Sequence, residues 1–138
     1  MPLIVLGVPF SPTISIGNPV DFPLASFTTT NNRFGTTPFI GASSNGIGDF
    51  NGDGLDDFAF SAPLANPLGS GLTSTGAIFI IWGKVAWSAP SQWPSLSTFP
   101  NITFGFVIYG GVSGQDLGTS VNGGCDLNGD SIDDVIIS

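Results

Sequence analysis

Two stretches of the chain, 77 residues apart, carry the same pattern. Residues 40–60 read IGASSNGIGDFNGDGLDDFAF and residues 117–137 read LGTSVNGGCDLNGDSIDDVII. They align without a gap, and ten of the 21 aligned positions are identical. A pattern that recurs at a fixed interval is the signature of repeated supersecondary units, which stack and bury their apolar faces on one another. The duplication therefore predicts two related units in a chain of 138 residues.

The segments around the duplicated acidic clusters have the composition of β-strands. Apolar runs follow each cluster, at residues 58–60 and 135–137, and longer runs lie at 77–82 and 102–109. β-branched and aromatic residues of this kind favour strands. The 20 Gly and 11 Pro residues interrupt the longer stretches and Glu is absent, so helices are disfavoured. We predict an all-β protein with antiparallel sheets and essentially no helix.

Changes in composition divide the chain into three parts. Residues 1–37 hold an N-terminal strand segment, LIVLG at residues 3–7, and a polar lead-in. Residues 38–100 form the first unit with a linker rich in Pro, Ser and Trp. Residues 101–138 form the second unit, which we expect to be truncated because it stops after its first apolar run. The N-terminus has no basic region of the kind that opens a signal peptide, so we expect a mature chain.

The charged and reactive residues exclude several functions. Arg33 and Lys84 are the only basic side chains, too few to follow a nucleic-acid backbone. The absence of His excludes His-based nucleophile pairs. Cys125 is the single Cys, which excludes an internal disulfide and a multi-Cys zinc site. Cys125 aligns with Gly48 and is expected to be a small buried residue. No apolar run reaches the length of a membrane-spanning helix. We predict that the protein is not an enzyme.

Each duplicated stretch contains the acidic pattern D-x-N-G-D-x-x-D-D. Oxygen ligands at alternating positions of a tight turn converge on one point, and Ca²⁺ accepts several such ligands, whereas Mg²⁺ keeps more of its waters. We therefore predict two Ca²⁺ sites. The predicted ligands are the side chains at positions 1, 3, 5 and 9 and the carbonyl at position 7, namely Asp49, Asn51, Asp53, Leu55 and Asp57 in one copy and Asp126, Asn128, Asp130, Ile132 and Asp134 in the other.

Two other interpretations of the acidic pattern agree less well with the sequence. Asp, Asn and Gly mark ordinary turns, but four carboxylates within nine residues repel one another unless a cation neutralises them. An EF-hand has a Glu at position 12 and continues as a helix. Position 12 is Phe60 or Ile137 here, inside a strand-like run, so the EF-hand is excluded.

With these features the chain resembles the FG-GAP repeats of the integrin α-subunit β-propeller. Residues 40–41 and 117–118 stand in place of Phe-Gly, residues 61–63 (Ser-Ala-Pro) stand in place of Gly-Ala-Pro, and residues 76–83 are similar to the closing strand. The resemblance implies a propeller blade of about four strands, with calcium bound in a loop between neighbouring strands. It also implies an extracellular, secreted or cell-surface, location.

The charges outside the acidic patterns predict self-association. Eight of the ten Asp residues lie in the two patterns, and the remaining charges, Asp21, Asp116, Arg33 and Lys84, cancel. A surface with so little charge suits a protein buried against other subunits, since soluble monomers have surfaces about 25–35% charged. We expect residues 3–7 to complete the second unit, within the chain or head-to-tail in a neighbouring chain, which yields a filament or an oligomer. Asn101 and the Thr run at 28–30 are candidate glycan sites.

These features predict a calcium-binding structural or adhesion protein, with a ligand- or carbohydrate-binding fragment of a larger propeller as the alternative. Trp82, Trp87 and Trp93 distinguish the two, because they either stack on sugars or pack in a core or subunit contact. The sequence leaves their role open.

Overall fold

The computed structural model describes residues 40–67, 70–85 and 102–138, and every regular element in these ranges is a β-strand. The strands are β1 (Ser44–Gly48), β2 (Asp57–Ala62), β3 (Ala77–Ile81), β4 (Gly105–Tyr109), β5 (Val121–Cys125) and β6 (Asp134–Ile137). The predicted all-β class is confirmed. No helix within the described ranges is long and apolar enough to cross a membrane.

The first four strands form one antiparallel sheet in chain order, β1-β2-β3-β4. Ala59 of β2 lies opposite Ile80 of β3, and Phe79 of β3 lies opposite Val107 of β4. A meander of four strands is the architecture of a propeller blade. The predicted division between residues 100 and 101 places β4 in the second unit, whereas its hydrogen bonds attach it to the sheet of the first.

Side chains alternate between the two faces of this sheet, and both faces are apolar. Strand β3 is buried along its whole length because its two faces contribute to different clusters. Phe60, Phe79 and Ile81 belong to one cluster. Ile78 and Ile80 belong to the other. A sheet covered on both sides has continuous apolar strands, which explains why AIFII shows no alternation of polar residues.

Strands β5 and β6 form an antiparallel pair that packs across β1. Val121, Val135 and Ile137 join the cluster that contains Ile78 and Ile80. Two polar contacts align the units: Asn45 Nδ2 donates to Asn122 Oδ1 at 2.6 Å, and the N–H of Val121 donates to the hydroxyl of Ser43 at 3.1 Å. The duplicated stretches thus form corresponding strand pairs, β1-β2 and β5-β6, stacked face to face as propeller-blade-like units.

The copies share even their irregularities. The register of β1 on β2 shifts between Gly46 and Gly48, and that of β5 on β6 shifts between Gly123 and Cys125, at equivalent positions. β-bulges of this kind bend a strand and increase its twist. Both acidic patterns follow directly after the strand with the register shift.

Strand positions differ from the prediction in three places. β1 and β5 were not predicted, since they consist largely of Gly, Ser and Asn. β4 begins at residue 105 instead of 102, because residues 102–104 form a turn. The predictions for residues 3–7 and 28–30, Asn101, Trp87 and Trp93 lie outside the described residues.

Candidate metal centres

The first acidic loop, residues 49–57, connects β1 to β2 and wraps around Asp49. Both carboxylate oxygens of Asp49 accept backbone hydrogen bonds, from the N–H of Asp53 at 2.9 Å and from that of Gly54 at 2.8 Å. Asn51 Oδ1 also accepts from the N–H of Asp53, and Asp53 Oδ1 accepts from the N–H of Leu55. Asp, Asn and their backbone neighbours form Asx turns in this way. Successive Asx turns bring positions 1, 3, 5 and 7 into one bend.

Glycine makes this bend accessible to the backbone. Gly52 and Gly54 have φ of +73° and +85°, in the left-handed region that glycine adopts without steric cost. Nothing lies within 4 Å of the place where a Cβ would be at residue 54, so its requirement for glycine comes from backbone conformation alone.

Asp57 closes the first loop from within the sheet. Its side chain is buried, and its carboxylate accepts hydrogen bonds from the N–H groups of Phe50 and Asn51 and, at 2.6 Å, from that of Gly83. Burial raises the pKa of Asp57, and the nearby charge of Asp53 raises it further, although the three N–H donors act against both. A carboxylate held in this way has a strong preference for additional positive charge.

The second acidic loop, residues 126–134, reproduces five hydrogen bonds of the first. Asp126 accepts from the N–H groups of Asp130 and Ser131, just as Asp49 accepts from Asp53 and Gly54. The remaining equivalents are the bond from Asp130 N to Asn128 Oδ1, from Ile132 N to Asp130 Oδ1 and from Leu127 N to Asp134 Oδ2. The hydrogen bond from Ser131 is the largest cause of a lowered pKa at Asp126, and the bonds from Gly129, Asp130 and Asn128 support it against desolvation.

One substitution between the loops affects the backbone. Ser131 takes the place of Gly54 and adopts φ of +71°, a strained value for a residue with a side chain. The second loop keeps the bend despite that cost. The hydrogen bonds of Asp126 therefore hold the conformation.

The two loops touch each other through Asp133, at position 8 of the second loop. Asp133 Oδ2 accepts a hydrogen bond from the N–H of Asp49 at 2.9 Å, and the N–H of Asp133 donates to the carbonyl of Asp49 at 3.3 Å. Position 8 is not among the predicted ligands. The contact with the other copy joins residues 84 apart and has no local signal in the sequence.

The donor chemistry of both loops fits a hard divalent cation, because every side-chain donor is a carboxylate or an amide oxygen. A carboxylate has about four lone pairs, so one that accepts two N–H bonds retains acceptor capacity. The positions of the side chains support a metal site less strongly. In the described part of the chain, no three acidic, His or Cys side chains come together in a group that could hold a metal ion. The ten predicted ligands stay a prediction, with each set of five held in a single bend.

Three other residues named in the sequence analysis, Cys125, Trp82 and Asp116, lie in the ranges that the structure describes. The expectation that Cys125 is buried is wrong: Cys125 is exposed, at the end of β5 where the register on β6 shifts. Trp82 packs against Phe50 and Phe106, and its Nε1 donates to the carbonyl of Ile102 at 3.0 Å. Asp116 has φ of +52°, and its Oδ1 is buried without a hydrogen-bond partner among the described residues.

Comparison with known families gives one result. The model of the FG-GAP repeat matches residues 41–81, which span β1, the first acidic loop, β2 and β3. No curated protein matches the chain. FG-GAP repeats occur typically in extracellular proteins. The predicted resemblance is therefore confirmed for the first unit: residues 41–81 are similar to an FG-GAP repeat, consistent with a repeat of an integrin α-like propeller.

Proposed function

We propose that this chain is a calcium-binding, extracellular structural or adhesion protein in which Ca²⁺ braces two stacked blade-like units. The observation that carries the proposal is the duplication of one loop geometry. Two oxygen-rich bends, 77 residues apart, share their donor types, their Asx turns and their position after a bulged strand. A turn without a ligand needs no such set of charges, since Gly and Asn suffice to form it.

The balance of charges in the loops also supports calcium binding. Each loop carries four Asp residues, and Lys84 is the one basic side chain in the described ranges. Lys84 Nζ lies 4.1 Å from the centre of the Phe104 ring. Like charges held a few residues apart oppose the folded loop, and a divalent cation would remove that repulsion. Asp57 would gain most, because burial already disfavours its charged form.

The residues that would hold calcium are the two predicted sets of five, with the carbonyls of Leu55 and Ile132 completing the side-chain donors. Their binding would fix each connection between consecutive strands, β1 to β2 and β5 to β6. Extracellular calcium modules bind with dissociation constants of about 10⁻⁴–10⁻³ M, and we expect affinity in that range. The cation serves as a structural brace, with no catalytic role.

Assembly is the second part of the proposal. Outside the loops the chain is nearly neutral, which suits extensive burial against other subunits. We propose head-to-tail self-association in which residues 3–7 of one chain complete the second unit of another. Glycan at Asn101 or in the Thr run would add a polar covering to the same assembly.

Thermal unfolding with and without calcium tests the metal part. At 10 mM CaCl₂ and the affinity above, mass action stabilises the native state by about 1.4–2.7 kcal/mol per site, and the melting temperature should rise by several degrees. Asp53→Ala should lose the contribution of the first loop. Asp56→Ala removes the same charge from a position that is not a predicted ligand and should retain it. A melting temperature that is identical in CaCl₂ and in EDTA would refute the proposal.

Size-exclusion chromatography and negative-stain electron microscopy test the assembly part. Deletion of residues 1–8 should dissolve any filament or oligomer while leaving calcium-dependent melting intact. If the complete chain is monomeric in calcium, self-association is wrong.

The alternative, a carbohydrate-binding propeller fragment, predicts exposed Trp side chains. Trp82 does not fit that role, because its ring packs on Phe50 and Phe106 and its N–H is engaged with Ile102. This packing favours the structural function over the alternative.

A further inference from the structure

Strand β6 has an unpaired edge within the ranges that the structure describes, because its sheet there consists of β5 and β6. The equivalent strand of the first copy, β2, pairs on that side with β3. The other side of the two strands is bonded alike. The N–H of Ser61 donates to the carbonyl of Ser43, and Ser138 and Ser120 form the same bond in the second copy. A free edge of N–H and C=O groups is a template for a further strand. The first copy therefore shows how a strand would pair with β6.

The acidic loop of the first copy recognises the residue that follows β3 and Trp82. This residue is Gly83, and its N–H donates to Asp57 Oδ1 at 2.6 Å. A Cβ at residue 83 would overlap the carbonyl of Asp56. The first loop thus accepts an N–H at this point and excludes a side chain. A strand that pairs with β2 in this register must be followed by glycine at this position.

The second copy has the same acceptor, Asp134 in place of Asp57. Asp134 Oδ2 accepts from the N–H of Leu127 as Asp57 Oδ2 accepts from that of Phe50, but no N–H from the described residues donates to Asp134 Oδ1. Asp134 is half-buried, whereas Asp57 is 1% exposed. Leu127 is 64% exposed, whereas Phe50 packs against Trp82. Both differences lie where the end of β3 and the residues after it are found in the first copy.

Residues 3–7 have the sequence that this edge requires. They read LIVLG and align without a gap with FIIWG at residues 79–83, so Gly7 matches Gly83. Residues 1–39 contain no other run of four apolar residues followed by Gly. About 30 residues separate Gly7 from Ile40, where the described range begins, and an extended chain spans about 3.3 Å per residue. This length is sufficient to reach a neighbouring chain.

We propose that residues 3–7 of a second copy pair antiparallel with β6 in the register that β3 has on β2, and that Asp134 recognises the N–H of Gly7; this rests on the self-association proposed above. A hydrogen bond to a charged acceptor is about twice as strong as a neutral one. A slip by one residue breaks this bond and turns every side chain of the strand to the other face. Asp134 therefore selects the register. The opposed pairs are Val5 with Val135, Ile4 with Ile136, which is 56% exposed, and Leu3 with Ile137.

Disulfide mapping of the complete chain tests the register and the partner. Two variants, Ile4→Cys and Ile136→Cys, each in a Cys125→Ala background, are mixed and oxidised, and the linked peptides are identified by mass spectrometry. Opposed residues of antiparallel strands have Cα atoms about 4.5–5.5 Å apart, within the range of about 4.4–6.8 Å that a disulfide allows. We expect a disulfide between the two chains. Val5→Cys mixed with Ile136→Cys is the control, displaced by one residue, and should give at least tenfold less product.

Sedimentation equilibrium of the complete chain in EDTA tests the recognition of Gly7. Gly7→Ala should weaken association at least tenfold, since a Cβ at the equivalent residue, Gly83, would overlap a loop carbonyl. Gly17→Ala, in the same N-terminal segment, should associate as the wild type does. Asp134→Asn loses the charged acceptor and should weaken association about tenfold, which corresponds to about 1.4 kcal/mol.

The outcomes separate this proposal from the proposed function. Oligomers that tolerate Gly7→Ala and give no disulfide between residues 4 and 136 overturn the register and leave self-association standing. A monomeric chain overturns both, including a monomer in which the disulfide forms only within one chain carrying both substitutions. Calcium binding is measured separately and is unaffected by either result.

Discussion

Replacement of Gly48 by Ala tests the contact between the two units most directly. Gly48 ends β1 with φ of +67°, and a Cβ there would overlap the carboxylate of Asp133. The side chain of Asp133 now accepts a hydrogen bond from the N–H of Asp49 at 2.9 Å. It must therefore move away from that N–H. The substitution keeps every Asp and Asn of both acidic loops and displaces the contact between them.

Two terms set the expected magnitude. A residue with a Cβ in the left-handed region costs roughly 1–2 kcal/mol. Loss of a hydrogen bond to a charged acceptor costs about 1.5–3 kcal/mol when it is buried, and about 1 kcal/mol is reasonable here because Asp49 and Asp133 are only half-buried. We expect Gly48→Ala to lower the free energy of unfolding by about 2–3 kcal/mol, a large part of the total for a small domain.

Urea unfolding in EDTA, followed by Trp fluorescence, gives this free energy. Two control variants separate the cost of backbone strain from the cost of the lost hydrogen bond. Gly54→Ala introduces the same backbone strain at φ of +85° with no atom within 4 Å, so it should cost about 1–2 kcal/mol. Cys125→Ala, at the position equivalent to Gly48, should change stability by less than about 0.5 kcal/mol. The free energy of unfolding that Gly48→Ala loses beyond the loss in Gly54→Ala measures the contact between Asp133 and the N–H of Asp49.

The reasoning fails if Gly48→Ala and Gly54→Ala have equal effects. That result would mean that the carboxylate of Asp133 relocates without cost. A combined variant, Gly48→Ala with Asp133→Ala, checks the assignment further. Its destabilisation should be smaller than the sum of the single variants, because both remove one contact.

Three further predictions concern individual residues. Asp57→Asn should lower stability in EDTA by about 1–3 kcal/mol, because the new NH₂ group faces backbone donors such as the N–H of Gly83 at a buried site; equal urea midpoints would contradict this. The raised pKa of Asp57 means that the folded chain holds this proton more tightly than the unfolded one, so its contribution to stability is complete below pH 3.8 and is lost as the pH rises through the folded-state pKa. A carboxyl ¹³C titration in EDTA should give a midpoint above 3.8, and a lower midpoint would be inconsistent with burial as the cause. Gly76→Ala should destabilise the chain more than Gly71→Ala, although both have positive φ, because a Cβ at residue 76 would overlap the backbone of Leu117 whereas residue 71 has open space; comparable losses in urea unfolding would show that the overlap relaxes.

The elements that could be predicted from the sequence are those whose determinants are local. The bend of each acidic loop rests on hydrogen bonds between residues two to five positions apart, such as Asn51 to Asp53 and Asp49 to Gly54. The same residue types therefore produce the same bend wherever they occur. β2 and β3 were recognisable for a related reason, because Phe, Ile and Ala in short runs indicate a buried strand.

The elements that could not be predicted depend on distant partners. β1 (SNGIG) and β5 (VNGGC) have almost no strand propensity of their own. They are strands because β2 and β6 pair with them and because they stack on each other through Asn45 and Asn122. The exposure of Cys125 was missed for the same reason: alignment with Gly48 gives equivalent positions, whereas burial depends on what faces each of them.

Residues of the repeated stretches therefore meet two separate requirements. Positions such as Gly52 and Gly129 serve the bend of their own loop, where φ is +73° and +80°. Other positions contact the other unit, and there one copy is the donor of a contact and the other its receiver, as in the hydrogen bond from the N–H of Asp49 to Asp133. Even an identical residue acquires a second role in this way: a Cβ at Gly123 would lie 2.9 Å from the Cβ of Ile47, whereas its counterpart in the first copy has open space. Exchange of residues between the copies should thus lower stability where β1 meets β5, as at Gly48 and its counterpart Cys125, because a Cβ at residue 48 would overlap the carboxylate of Asp133.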